Sequence, residues 1–102
     1  MKSISFPIDK SRLDRLNETE ATLHARMLEL IGEEDQCRRL VRVAKGNLAA
    51  HDSKANREDV AAQEAHLREA ERKLQEARSA WSNASQLAAS CRAHAKAQGI
   101  TA

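Results

Sequence analysis

The sequence is poor in the residues that build sheets and sharp turns. It contains no Tyr, one Phe, one Trp, one Pro and three Gly among 102 residues. Aromatic and β-branched residues are the ones that strands favour, so their scarcity argues against a β-sheet. Few Gly and Pro also leave few points at which a helix must end. The composition predicts an all-α protein of one domain.

Charge of one sign, long apolar runs and clustered cysteines are also lacking. Charged residues make up 31% of the chain but the formal net charge is only +2, whereas a basic nucleic-acid binder is usually more one-sided. No apolar run is long enough for a transmembrane helix, and residues 1–10 have no signal-peptide core. The two cysteines fit a reducing compartment. We expect a cytoplasmic protein that is not bound to a membrane.

What the sequence does contain is a heptad repeat between residues 56 and 98. One set of positions recurs at seven-residue steps, and a second set falls three residues after it: Val60, Leu67, Leu74, Trp81, Ala88 and Ala95, with Gln63, Ala70, Ala77, Ala84 and Cys91. This spacing is the a/d seam of a helix that lies along another helix. Alanine dominates the seam, so a partner helix can approach closely and must supply the bulk.

An earlier stretch supplies that bulk. Its seam consists of Leu13, Leu16, Leu23, Met27, Leu30, Cys37, Val41, Ala44 and Leu48, with Glu20 and Glu34 as polar interruptions. Large side chains against small ones fill the space between two closely spaced backbones. Folding the chain at about residue 54 places Leu48 opposite Val60 and Leu13 opposite Ala95. The sequence therefore predicts a two-helix antiparallel coiled-coil hairpin.

The boundaries follow from capping and breaking residues. We predict an extended arm at 1–9, a helix at 10–50, a turn at 51–55, a helix at 56–98, and a cap and tail at 99–102. Gly46 costs about 1 kcal/mol relative to Ala inside a helix, so an end at Lys45 is the alternative. The second helix is expected to carry Glu58 and Asp59 in its first turn and Gly99 as a left-handed cap, with Ile100 folding back.

The charges give an independent indication of the same register. The basic face Arg38, Arg39, Arg42 and Lys45 is expected to face Glu64, Glu69 and Glu71. The acidic Glu29, Glu33, Glu34 and Asp35 are expected to face Arg72, Lys73 and Arg78. The basic residues of the C-terminal part, Arg78, Arg92 and Lys96, are expected to lie beside Asp9, Asp14, Glu18 and Glu20. Exposed ion pairs contribute only about 0–1 kcal/mol each, so they indicate orientation more than stability.

The chain carries more apolar residues than one seam uses. Leu28, Ile31, Leu40 and Val43 on the first helix and Leu87 on the second lie outside the two seams. A widened apolar stripe usually faces further helices, so we predict a homodimer that forms a four-helix bundle. Ile4, Phe6 and Ile8 alternate with period two and are expected to lie over that interface. A frayed terminus is the alternative for this arm.

No residue set predicts catalysis or a cofactor. Cys91 and His94 share a helical face, but a structural zinc site needs four ligands, so the simpler interpretation is a small core Cys and a solvated His. His24, His51 and His66 are scattered along the chain, and no glycine-rich phosphate loop occurs. Trp81 is interpreted as a core residue, with an exposed partner anchor as the alternative.

The sequence thus favours a non-enzymatic protein that acts through protein–protein interaction, such as an adaptor, an assembly factor or a secretion-type chaperone. The alternative is a nucleic-acid-associated regulator that uses the basic face Arg38, Arg39, Arg42 and Lys45 to bind phosphates. A third hypothesis is a metal or redox switch at Cys91 and His94. The pattern does not identify the partner.

Overall fold

Two long helices make up the part of the chain that the computed structural model describes, residues 10–99. Helix α1 spans Lys10–Ala50 and helix α2 spans Lys54–Ala97. No β-strand occurs between residues 10 and 99. The two helices pack against each other, so the predicted all-α hairpin is confirmed. The predicted arm at 1–9 and the predicted contact of Ile100 lie outside the described residues.

The helix boundaries correct two expectations. Helix α1 continues through Gly46 to Ala50, so the alternative end at Lys45 is wrong. The packing and hydrogen bonds of the rest of the helix outweigh the cost of about 1 kcal/mol that Gly carries relative to Ala. Helix α2 begins at Lys54, two residues before its predicted start, and its first turn contains no acidic residue. Glu58 and Asp59 therefore lie beyond the first turn, farther from the positive end of the helix dipole than expected.

Ser53 and Asn56 hold the turn between the helices. The Ser53 Oγ accepts a hydrogen bond from the Asn56 backbone N–H at 3.1 Å, which caps the start of α2. The Asn56 Nδ2 donates to the carbonyl oxygens of His51 at 2.7 Å and Asn47 at 3.3 Å. The Asn56 side chain thus satisfies the His51 carbonyl just beyond the end of α1, and it adds a second donor to the Asn47 carbonyl, which already accepts from the His51 backbone N–H.

Gly99 ends α2 as predicted. Its φ is +83°, and its backbone N–H donates to the Lys96 carbonyl at 3.1 Å. A Cβ at this position would meet no atom within 4 Å, so the reason for Gly is conformational and not steric crowding.

The predicted seams form the interface between the helices. All the seam positions predicted on α1 and α2 are buried or half-buried. The most deeply buried residues are Leu13, Leu30, Val41 and Ala44 on α1 and Ala70, Leu74, Ala88 and Ala95 on α2. Three of the four on α2 are alanines, while α1 supplies mainly large side chains, as the predicted packing of large against small requires.

The chain divides into two compact units. The turn unit comprises residues 26–78, and the terminal unit joins α1 up to Ala25 to α2 from Ser79. In the turn unit, Arg38 pairs with Glu71 at 3.3 Å and Lys45 with Glu64 at 3.5 Å. In the terminal unit, Leu13 packs with Ala95 as predicted, and Ser85 donates a hydrogen bond to Glu20. In each unit a later residue of α1 contacts an earlier residue of α2, so the helices are antiparallel within each unit.

Candidate functional site

Each helix has two flanks, one on either side of its buried seam. With the seam residues at heptad positions a and d, positions b and e lie on one flank and positions c and g on the other. We call these the e flank and the g flank. Of the exposed apolar residues, Leu28 and Ile31 occupy b and e positions. Leu40 and Val43 occupy g and c positions.

The e flank of the turn unit is closed by ion pairs between the helices. Two ion pairs cross from α1 to α2 in this unit, Arg38 with Glu71 and Lys45 with Glu64. All four residues occupy e positions. Their side chains remain about half exposed. Pairs of this exposure contribute little free energy but fix the alignment of neighbouring helices.

The e flank of the terminal unit is closed by a polar network around Glu20. The Arg92 Nη1 donates to the Glu20 Oε1 at 3.1 Å and to the Asn17 Oδ1 at 2.7 Å. The Ser85 Oγ donates to the Glu20 Oε2 at 2.8 Å. Arg92 and Glu20 belong to the two groups of charges that were predicted to lie side by side, whereas a role for Asn17 and Ser85 was not predicted. Both stand at e positions, which is the signal that could have identified them.

The network stabilises the ionised form of Glu20. The hydrogen bond from Ser85, followed by that from Arg92, lowers the pKa of Glu20 below its ordinary value of 4.5, and the charges of Arg92 and His24 act in the same direction. A lowered folded-state pKa adds stability that is present above pH 4.5 and is lost as the pH falls through the folded value. We expect Glu20→Gln to reduce this acid-dependent part of the unfolding free energy.

The measurement is urea unfolding of the wild type and of Glu20→Gln between pH 3 and pH 7, followed by circular dichroism. The stability difference between the two proteins should be largest near neutral pH and should shrink in acid. Glu18→Gln is the matched control, because Glu18 is an exposed carboxylate on the same helix. Parallel pH profiles for the wild type and Glu20→Gln would contradict the role of the charged network.

Trp81 lies at the edge of this network. Its side chain is half-buried at a seam position, and its ring centroid lies 5.3 Å from that of His24, with the planes tilted by 46°. A surface groove of about 340 Å³ is lined by both rings together with Asn17, Glu20 and Ala21. Trp81 thus takes the predicted seam position without being fully enclosed. The contact with His24 was not predicted.

The large apolar residues that lie outside the a and d positions are exposed. Leu28 is 53% exposed, Ile31 37%, Leu40 41%, Val43 59% and Leu87 53%. They do not form one stripe, because Leu28 and Ile31 lie on the e flank of α1 while Leu40 and Val43 lie on its g flank. The remaining predicted interface residues, Ile4, Phe6 and Ile8, lie outside the described part of the chain.

The g flank of the turn unit contains a groove. It has a volume of about 250 Å³ and is lined by Glu33 and Cys37 of α1 and by His66, Glu69, Ala70 and Lys73 of α2. Cys37 and Ala70 are seam residues, so the floor of the groove is the edge of the helix–helix core. Leu40 occupies the g position that follows Glu33 along α1.

The basic face is largely neutralised by neighbouring acids. Arg38 bonds Glu34 as well as Glu71, which raises the pKa of its guanidinium, chiefly through the Glu34 hydrogen bond. Arg39 pairs with Asp35 at 2.6 Å, and Lys45 pairs with Glu64. Arg42 is the one member with no ion pair to any residue between 10 and 99. The run therefore forms ion pairs within and between the helices.

Another predicted charge pairing between the helices is replaced by pairs within one helix. Arg72 was expected to face the acidic cluster of α1, but it pairs with Glu69 and Glu76 of its own helix. Partners three and four residues away are within immediate reach on a helix surface. The hydrogen bond from Arg72 lowers the pKa of Glu69.

The two cysteines are free thiols, each half-buried in a seam. Cys91 packs against the Leu13 and Ala95 cluster, and the imidazole of His94 lies 3.2 Å from the Gln98 side-chain nitrogen. Over residues 10–99, no group of three or more His, Cys, Asp and Glu side chains is arranged to hold a metal ion.

Neither α1 nor α2, over the residues that the structure describes, has a stretch long and apolar enough to cross a membrane. Comparison of the chain with protein-family models, with curated proteins and with solved structures finds no match.

Proposed function

We propose that the protein is a non-enzymatic helical hairpin that acts through protein–protein interaction and forms a homodimer with a four-helix bundle. The observation that carries the proposal is the exposure of five large aliphatic side chains, each between 37% and 59%. Burying apolar surface contributes roughly 25 cal/mol per Å². Exposed aliphatic pairs, Leu28 with Ile31 on one flank of α1 and Leu40 with Val43 on the other, therefore favour association with another apolar surface.

The polar groups of the hairpin support an interaction role over catalysis. Glu20, Ser85 and Arg92 are engaged with one another in holding α1 to α2. The grooves are surface features beside the seams, and neither brings a nucleophile and a base into a described hydrogen bond. Adaptor, assembly factor and secretion-type chaperone are roles that such a hairpin can serve, and we assign it to the cytoplasm because two free cysteines fit a reducing compartment.

Nucleic-acid binding is the weaker proposal. Phosphate binding requires Lys and Arg side chains that can exchange counterions for phosphates. Arg38, Arg39 and Lys45 already pair with acids of the same chain, which leaves Arg42 as the unpaired charge of this face among the described residues. This neutralisation favours protein partners over nucleic acids.

Sedimentation of the full chain at several concentrations tests the homodimer. We expect a mass that rises from one chain toward two with concentration and saturates at two. A variant that replaces Leu28, Ile31, Leu40 and Val43 with Ser should remain a monomer with an unchanged helical circular dichroism spectrum. A wild type that stays monomeric at high micromolar concentration would overturn self-association.

A further inference from the structure

The two flanks of the turn unit differ in whether side chains of α1 and α2 pair across them within one chain. The e flank carries Arg38–Glu71 and Lys45–Glu64, which cross between the helices. On the g flank, no ion pair and no hydrogen bond between side chains crosses from α1 to α2 within residues 26–78. The e flank is therefore closed by ion pairs within the single hairpin, whereas no such pair closes the g flank of this unit.

The open flank has the features of an interface. Its groove of about 250 Å³ has Cys37 and Ala70 on its floor. Leu40, 41% exposed, and Val43, 59% exposed, stand on the same flank of α1. An apolar group beside an unfilled groove suits a partner that carries the same two features, because each copy can then fill the groove of the other.

Two charges at the rim of the groove also lack ion-pair partners. Glu33 and Lys73 both line the groove from g positions on opposite helices. Neither forms an ion pair within 4 Å with any residue between 10 and 99. Lys73 acts only at longer range, as a minor contributor to the lowered pKa of Glu69 after the Arg72 hydrogen bond. An acid and a base on the same face are complementary to a second copy of that face.

We infer that self-association uses the g flank of the turn unit, with Leu40 and Val43 packed over the groove of a second copy and Glu33 of each copy paired with Lys73 of the other. This inference rests on the proposed homodimer and specifies its interface. The two-fold axis runs parallel to the helices, so α1 of one copy lies beside α2 of the other. Neighbouring antiparallel helices then meet g position to g position, while the e flank keeps its pairs within each chain.

Leu28 and Ile31 lie outside this interface. They occupy the opposite flank of α1, which faces away from the second copy in this arrangement. The inference therefore assigns the two exposed apolar pairs of α1 to different surfaces. This provides a matched control, because each pair can be changed while the other is left intact.

The first test is a mixing experiment with two charge reversals. Glu33→Lys places Lys against Lys at both symmetric contacts, and Lys73→Glu places Glu against Glu, so each variant alone should dimerise at least about tenfold more weakly than the wild type. In a 1:1 mixture both contacts become complementary. We expect the mixture to form a heterodimer with an affinity within about threefold of the wild type, measured by sedimentation.

Mixing separates this arrangement from a pairing within one chain. If Glu33 and Lys73 paired inside the hairpin, each variant would carry its own like-charge pair whatever the other chain contained. A mixture that dissociates as readily as the separate variants would overturn the inference. Helical circular dichroism of each sample verifies that the hairpin is folded.

The second test compares the two apolar pairs. Leu40→Asp with Val43→Asp should abolish the dimer, and Leu28→Asp with Ile31→Asp should leave it intact. The reverse result would overturn the assignment to the g flank while leaving the homodimer in place. A monomeric wild type would instead overturn the proposed self-association itself, so the two failures are distinguishable.

Discussion

Leu30→Ala is expected to lower the free energy of unfolding by about 2–5 kcal/mol, the usual effect of truncating a large buried side chain and leaving a cavity. Leu30 is 3% exposed and lies in the α1 seam. The α2 seam that faces Leu30 is rich in alanine. Its short side chains cannot extend into the cavity that the substitution leaves. Urea unfolding followed by circular dichroism at one fixed protein concentration measures the loss.

Leu28→Ala is the matched control for this loss. The same substitution is made two residues earlier on the same helix, but Leu28 is 53% exposed and leaves no cavity. Its effect should stay within about 0.5 kcal/mol. A loss below about 0.5 kcal/mol for Leu30→Ala would contradict the position of Leu30 in the core.

Ala88→Leu is expected to destabilise the hairpin by about 1–3 kcal/mol through overpacking. Ala88 is fully buried in the α2 seam, where the small side chain allows the two backbones to approach closely. A leucine would force the helices apart or adopt a strained rotamer. The same urea titration measures this effect, and a shifted Trp81 emission would report rearrangement within the terminal unit.

Ala89→Leu provides the comparison, since residue 89 is exposed on the same helix. Leu and Ala are both strong helix formers, so helix propensity changes little. The variant should unfold within about 0.5 kcal/mol of the wild type. If Ala88→Leu stabilised the hairpin, the seam around residue 88 would contain unfilled space, and the expected overpacking would be wrong.

The sequence was sufficient to predict the fold because one physical rule dominates it. A residue at an a or d position is removed from water in any two-helix pairing, so the heptad spacing identifies Leu13, Leu30 and Leu74 as buried without further information. The end of α2 could also be predicted, because Gly99 follows the last heptad and glycine readily adopts the positive φ of a helix cap.

The polar contacts could not be predicted in the same way. A side chain such as Arg72 has several acids within reach, and the sequence does not show which one the rotamer selects. Asn56 caps α1 from the other helix, which depends on a turn that is two residues shorter than expected, because α2 begins at Lys54. The separation of Leu28 and Ile31 from Leu40 and Val43 does follow from heptad position, but only when the two flanks are considered separately.

The hairpin topology also orders the events of folding. In the turn unit, Arg38 and Glu71 lie 33 residues apart in sequence, whereas in the terminal unit Ser85 and Glu20 lie 65 apart. Closing a loop of about twice the length costs roughly 0.6 kcal/mol more entropy. The turn unit should therefore form first, and amide protons of the terminal unit should exchange with solvent sooner. The groove beside Leu40 belongs to the unit that forms first, so two chains can meet there before either has folded completely.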